Sequence, residues 1–89
     1  MIKIENVAEL GKMIRAVRIQ AGMTQADAAA LCSVSAPFLN GVERGKQTAR
    51  IGGIFSVCHG LGIQVCLGLP ASVEELRAMP TRKPRGRPR

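Results

Sequence analysis

Apolar residues recur over the first 62 positions at the three- and four-residue spacing of helices, and turn-forming residues interrupt them at short intervals. Leu10, Ile14, Val17 and Ala21 form one stripe, with Lys12, Arg15 and Arg18 away from it, which predicts a helix over 7–21. Asn6 with Glu9 three residues on reads as its cap, and Gly22 as its stop. Thr24 and Asp27 open a second short helix carrying Ala28, Leu31 and Cys32. After the tight Cys32-Ser33-Val34 connection, Ser35 caps a third helix to about residue 44. Pro37 suits its first turn, Leu39 and Val42 face inward, and Gly45 ends it. A fourth helix, over 51–61, is expected to bury Ile51, Ile54, Phe55, Cys58 and Leu61 before Gly62.

The period then changes. Ile63, Val65, Leu67 and Leu69 alternate with Gln64, Cys66 and Gly68, a pattern that predicts one β-strand ended by Pro70. A lone strand leaves its backbone groups unpaired, so the expectation is pairing with the same strand of a second copy in a two-fold dimer. Ser72 and Glu75 cap a last short helix to about residue 79. The chain thus divides into a helical domain over 1–62, a dimerisation strand with a short helix over 63–79, and a disordered tail over 80–89.

Charge sharpens this picture. Thirteen Lys and Arg against six Asp and Glu give a net +7, which points to a polyanionic partner. Arg82, Lys83, Arg85, Arg87 and Arg89 place much of that charge in the tail, where no acid accompanies them. No apolar run is long enough to span a membrane and no basic-then-apolar leader opens the sequence, so no membrane association is expected and the expected compartment is the cytoplasm. Cys32, Cys58 and Cys66 lack metal-ligand or disulfide spacing and read as small buried apolar residues. His59 has no ligand partner in sequence and reads as structural. With one His and no phosphate loop, neither catalysis, a metal nor a cofactor is expected.

Two short capped helices joined by a three-residue turn, from Thr24 to Gly45, match the helix-turn-helix plan. In that plan the first helix lies across the DNA backbone and holds the second in the major groove. Gln25 would offer its amide and neighbouring backbone N–H groups to a phosphate. Ser35, Ala36, Pro37 and Asn40 would face the groove.

The stretch RIQAGMTQADAAALCSVSAPFLNGVERGK resembles the Xre/Cro family of helix-turn-helix repressors, and the likeness runs over about residues 7–62. That resemblance implies a mostly α, lambda-repressor-like domain of four to five helices, followed here by the pairing strand. It also implies an Arg18–Glu43 pair tying the first helix to the third, a phosphate-binding role for Gln25, and a helix end at Glu43-Arg44-Gly45-Lys46 whose Arg44 and Lys46 contact DNA. The stretch GKQTARIGGIFSVCHGLGIQV, the overall length and the strand after the fourth helix are similar to the HipB antitoxins. Membership there implies an operator-binding homodimer that represses its own operon and binds a HipA-like kinase toxin. A stand-alone Xre-type repressor without a toxin, and a protein-interaction module with a vestigial DNA face, stay open as alternatives.

Departures from the family pattern matter. Ser33 stands where glycine is common at a turn of positive φ, which costs on the order of 1 kcal/mol or bends the turn. Ala36, Pro37 and Gly41 replace side chains that are usually polar, so base contacts rest on Ser35 and Asn40, and DNA shape carries more of the specificity. Lys83-Pro84-Arg85-Gly86-Arg87-Pro88-Arg89 resembles the AT-hook, in which Arg85 and Arg87 would reach into the minor groove while Gly86 lets the backbone approach. A non-specific phosphate clamp and a solubilising end are the other readings of that tail.

Overall fold

A computed structural model describes residues 1–80. Within them five helices follow in order: α1 (Val7–Gln20), α2 (Gln25–Cys32), α3 (Ala36–Glu43), α4 (Ile51–Gly60) and α5 (Val73–Arg77). The caps fall on the residues the sequence marks. Asn6, Thr24, Ser35 and Ser72 each accept the backbone N–H three residues on, at Glu9, Asp27, Phe38 and Glu75. Only α4 starts without a side-chain cap, at Arg50.

The first four helices all stop in one way. At α3 the Lys46 N–H returns to the Gly41 carbonyl and the Gly45 N–H to that of Val42, the Schellman pattern around a left-handed residue. The same pair of bonds closes α1 at Gly22, α2 at Ser33 and α4 at Gly62. Ser33 is the exception in chemistry: it takes φ 61 and ψ 39 with a side chain that disfavours that region. The expected strain at this turn is therefore present.

α3 packs against both α1 and α2, and α4 against α2. Their common core is small: Ile14 from α1, Ala28, Ala29 and Cys32 from α2, Leu39 and Val42 from α3, and Val57 and Cys58 from α4. Small residues set the approach distances. A Cβ at Gly11 would strike the carbonyl oxygens of Val42 and Glu43, so α1 crosses α3 backbone to backbone. A Cβ at Gly53 would strike the Phe38 ring, and one at Gly60 the Cys32 side chain.

This explains where the expected core was misplaced. α4 turns Gly53, Val57 and Cys58 inward, leaving Ile51 70 % exposed and Phe55 about half exposed. Periodicity weights bulky apolar side chains, whereas the contact is made through the residue that lacks one. Leu31 is likewise exposed, because α2 is apolar around most of its circumference and its alanines fill the seam. Cys32 and Cys58 are buried, but Cys66 is exposed.

The expected strand is absent. Residues 63–69 carry neither helix nor strand hydrogen bonding, and among the described residues no strand occurs at all. Alternation marks a face that can be half buried, but a strand exists only through bonds to a neighbouring strand, and the described residues supply none. Ile63 packs partly against the core and donates its N–H to the Cys58 carbonyl at 2.8 Å. Val65, Leu67 and Leu69 point into solvent. α5 forms with a full capping box, yet none of its residues is buried. No helix among the described residues is long and apolar enough to cross a membrane.

Candidate nucleic-acid interface

α2 and α3 are joined by the Ser33 turn and are fixed to α1 by one ion pair. Arg18 of α1 donates through Nε to Glu43 Oε2 at 2.6 Å and through Nη2 to Oε1 at 2.9 Å, while Nη1 donates to the Met23 carbonyl at 2.9 Å. Both side chains are buried. Burial pushes the Glu43 carboxyl up, but hydrogen bonds from Arg18 and Gln25, with the charges of Arg18 and Arg15, outweigh it and hold the carboxyl below its ordinary range. Hydrogen bonding to Glu43 in turn raises Arg18, so the pair is doubly charged. The pairing expected from family resemblance is thus made, and its place is the α1–α3–α2 junction.

Gln25 opens α2 and is half-buried. Its Nε2 donates to Glu43 Oε1 at 3.0 Å and to Asn40 Oδ1 at 3.3 Å. Both amide hydrogens thus serve α3, and what Gln25 offers outward is its backbone N–H at the positive end of a helix. Spacing alone could not reveal this link, since Gln25, Asn40 and Glu43 come together only when α2 crosses α3.

On α3 the residues sort by exposure. Ser35 and Pro37 are exposed, Asn40 is half-buried, and Ala36 packs against the core, which leaves its methyl little to offer a ligand. Leu39 and Val42 face inward as expected. Arg44 and Lys46 follow the helix end and are exposed. The Lys46 stem lies over Gly41, 3.4 Å from where a Cβ would stand, so this glycine seats a basic side chain beside α3. Phe38 and Arg50 were not singled out from sequence. The ring of Phe38 meets Gly53, and the Arg50 guanidinium lies 5.2 Å from its centroid, which adds a third cation beside the helix. Between residues 24 and 50 the acids are Asp27, which is exposed, and Glu43, which Arg18 neutralises. The exposed face is basic. Arg85, Gly86 and Arg87 lie outside the described residues.

A second surface lies beside α4. Phe55, Cys58, His59 and Cys66 line an open groove with Ile63 and Val65, and His59 is exposed rather than packed. Among the described residues no cluster of His, Cys, Asp and Glu could hold a metal.

Known proteins share this arrangement. The family described as a helix-turn-helix domain matches residues 9–67. The chain belongs to that family. The HTH-type transcriptional regulator y4mF of Sinorhizobium fredii is 31 % identical to this helix-turn-helix protein over 68 residues, covering 76 % of the chain and 90 % of the relative. Among solved structures, a chain of a HipA–HipB–O2–O3 complex has a TM-score of 0.72 at 20 % identity, covering 80 % of this chain and 100 % of that one. The clp gene regulator ClgR of C. glutamicum has a TM-score of 0.58 at 31 % identity, over 70 % of this chain and 80 % of its own. The restriction-modification controller C.AhdI of Aeromonas hydrophila has a TM-score of 0.58 at 26 % identity, over 65 % and 84 %. The protein is accordingly a helix-turn-helix DNA-binding transcriptional regulator.

Proposed function

We propose that the protein is a sequence-specific repressor that binds an operator as a homodimer, silences its own operon and neutralises a HipA-like kinase toxin. α3 enters the major groove with Ser35, Pro37 and Asn40 toward the bases. Arg44, Lys46 and the N-terminus of α2 engage flanking phosphates. The observation that carries this reading is the rigid seat of α3: the Arg18–Glu43–Gln25 junction fixes its orientation while its outer face stays exposed and basic. The likeness to HipB chains in operator complexes and in a complex with HipA supports the antitoxin role. Half-exposed Phe55 and Val65, which line the groove beside α4, and exposed Leu67 support association with protein. Arg85, Gly86 and Arg87 add a minor-groove or phosphate contact from the tail.

Binding to the DNA upstream of its own gene, measured at two salt concentrations, tests the repressor. A steep salt slope with retained site preference is expected. Deleting residues 80–89 reduces that slope if the tail clamps phosphates, and erodes preference for A·T flanks if it reads the minor groove. Co-purification from the native operon tests the toxin: a kinase must come down with the regulator.

A stand-alone regulator is the second reading, favoured by ClgR and C.AhdI, whose likeness is to regulators named without a toxin. Absence of a kinase reading frame beside the gene decides for it.

A further inference from the structure

The groove beside α4 holds two thiols of unlike standing. Cys66 is exposed, whereas Cys58 lines the same groove although it is only 1 % exposed. Among the described residues Cys58 Sγ has no hydrogen-bond partner, while Cys32 Sγ donates to the Val57 carbonyl at 3.5 Å where α2 packs on α4. The chain between the two groove thiols is short and loosely held. The Ile63 N–H donates to the Cys58 carbonyl at 2.8 Å, and Cys66 follows three residues later. Three extended residues reach about 10 Å, and a disulfide needs its two Cα atoms within about 7 Å. Residues 64–69 make no backbone hydrogen bonds among the described residues, so no ladder has to break for Cys66 to close on Cys58.

We infer that Cys58 and Cys66 form a thiol–disulfide site, oxidised by glutathione disulfide or a like small disulfide, whose bond latches residues 63–66 against α4 and closes the groove. The Cys66 thiolate attacks one sulfur of glutathione disulfide. That S–S bond breaks, leaving glutathione joined to Cys66 and releasing one glutathione thiolate. Cys58 loses its proton, attacks the Cys66 sulfur and expels the second glutathione thiolate. The two protein thiols give up two electrons and two protons, and one small disulfide becomes two thiols. Cys66 goes first because it meets solvent. Burial, with Cys32 nearby, pushes the Cys58 thiol up, so its attack is the slower step. In a reducing compartment such a bond is transient and reports the state of the thiol pool. The spacing of the cysteines gives no sign of it; the groove brings them together. Closure withdraws Phe55 and Val65 from a protein partner, and the chemistry stands apart from operator binding.

The full-length chain, incubated with glutathione disulfide, denatured, alkylated and digested with trypsin without reduction, tests the site. Arg50 and Arg77 bound a fragment, 51–77, that holds both groove cysteines, and Arg18 and Arg44 bound 19–44 with Cys32. Fragment 51–77 should be unalkylated and two hydrogens lighter, while 19–44 carries the alkyl group. Cys58→Ala should stop at the glutathione adduct of Cys66, and Cys66→Ser should take up no glutathione. Thermal melts establish that each variant is folded, and if Cys58→Ala is not, the wild-type fragments decide alone. Binding of the apolar dye anilinonaphthalene sulfonate should fall by about threefold when the wild-type chain is oxidised, and should not change in Cys66→Ser treated alike. Fragments 19–44 and 51–77 joined to each other would assign the bond to Cys32 and overturn the site. Alkylation of both groove cysteines, or two chains linked through Cys66, overturns it too. A disulfide in 51–77 with unchanged dye binding overturns the closing of the groove.

Discussion

Arg18 and Glu43 stand 25 residues apart in the chain and meet through two hydrogen bonds of 2.6 and 2.9 Å inside the domain. Removing one member strands the other as a buried charge, and that is far more costly than losing a surface pair. Glu43→Leu should cost about 3–5 kcal/mol, a large part of the stability of a domain this size. Arg18→Met combined with Glu43→Leu should recover most of the loss. Urea unfolding followed by circular dichroism measures both, and a double variant no better than the single would refute the buried-charge account.

The same pair ties stability to pH. The folded Glu43 carboxyl lies below its unfolded value because the bonds from Arg18 and Gln25 outweigh the burial that opposes them. Its contribution is complete above the ordinary glutamate value of about 4.3 and is lost as pH falls through the lower folded value. Thermal melts between about pH 7 and pH 3 should therefore drop steeply at the acid end. Glu43→Gln should flatten that acid dependence while lowering stability at neutrality.

Among the described residues, Ser33 occupies the one left-handed position that is not glycine. Ser33→Gly should raise stability by about 1 kcal/mol, which for a domain of this length is about 4–8 °C in melting temperature. Calorimetry that finds no increase would mean the turn relaxes around the serine.

Gly52 and Gly53 are adjacent on α4 but face opposite conditions. A Cβ at Gly53 meets the Phe38 ring, whereas one at Gly52 meets nothing. Gly53→Ala should cost about 1–3 kcal/mol through overpacking. Gly52→Ala should stabilise by about 0.5–1 kcal/mol through helix propensity. Chemical unfolding of the two variants should therefore give opposite signs.

Much of the fold was legible along the chain, because its helix ends are written in local chemistry. Asn6, Thr24, Ser35 and Ser72 mark the starts, Gly22, Gly45 and Gly62 mark the stops, and each acts within a few residues of itself. What depends on approach between elements was not legible. Ile51 and Phe55 looked like core until Gly53 brought α4 in on another face. The strand over 63–69 was read from alternation, which specifies a face but not a partner. At the site, the Arg18–Glu43 pair, Gln25 and Asn40 are each marked along the chain. Their linkage through the Gln25 amide arises only from the crossing of α2 over α3.

One measurement reaches the central claim most directly: an amide NMR titration of the full-length chain with a duplex from upstream of its own gene. If α3 is the reading element, resonances of Ser35, Asn40, Gly41 and Arg44 should shift most, with Gln25 and Lys46 beside them. Shifts confined to α4 and residues 63–69, with α3 unmoved, would contradict it.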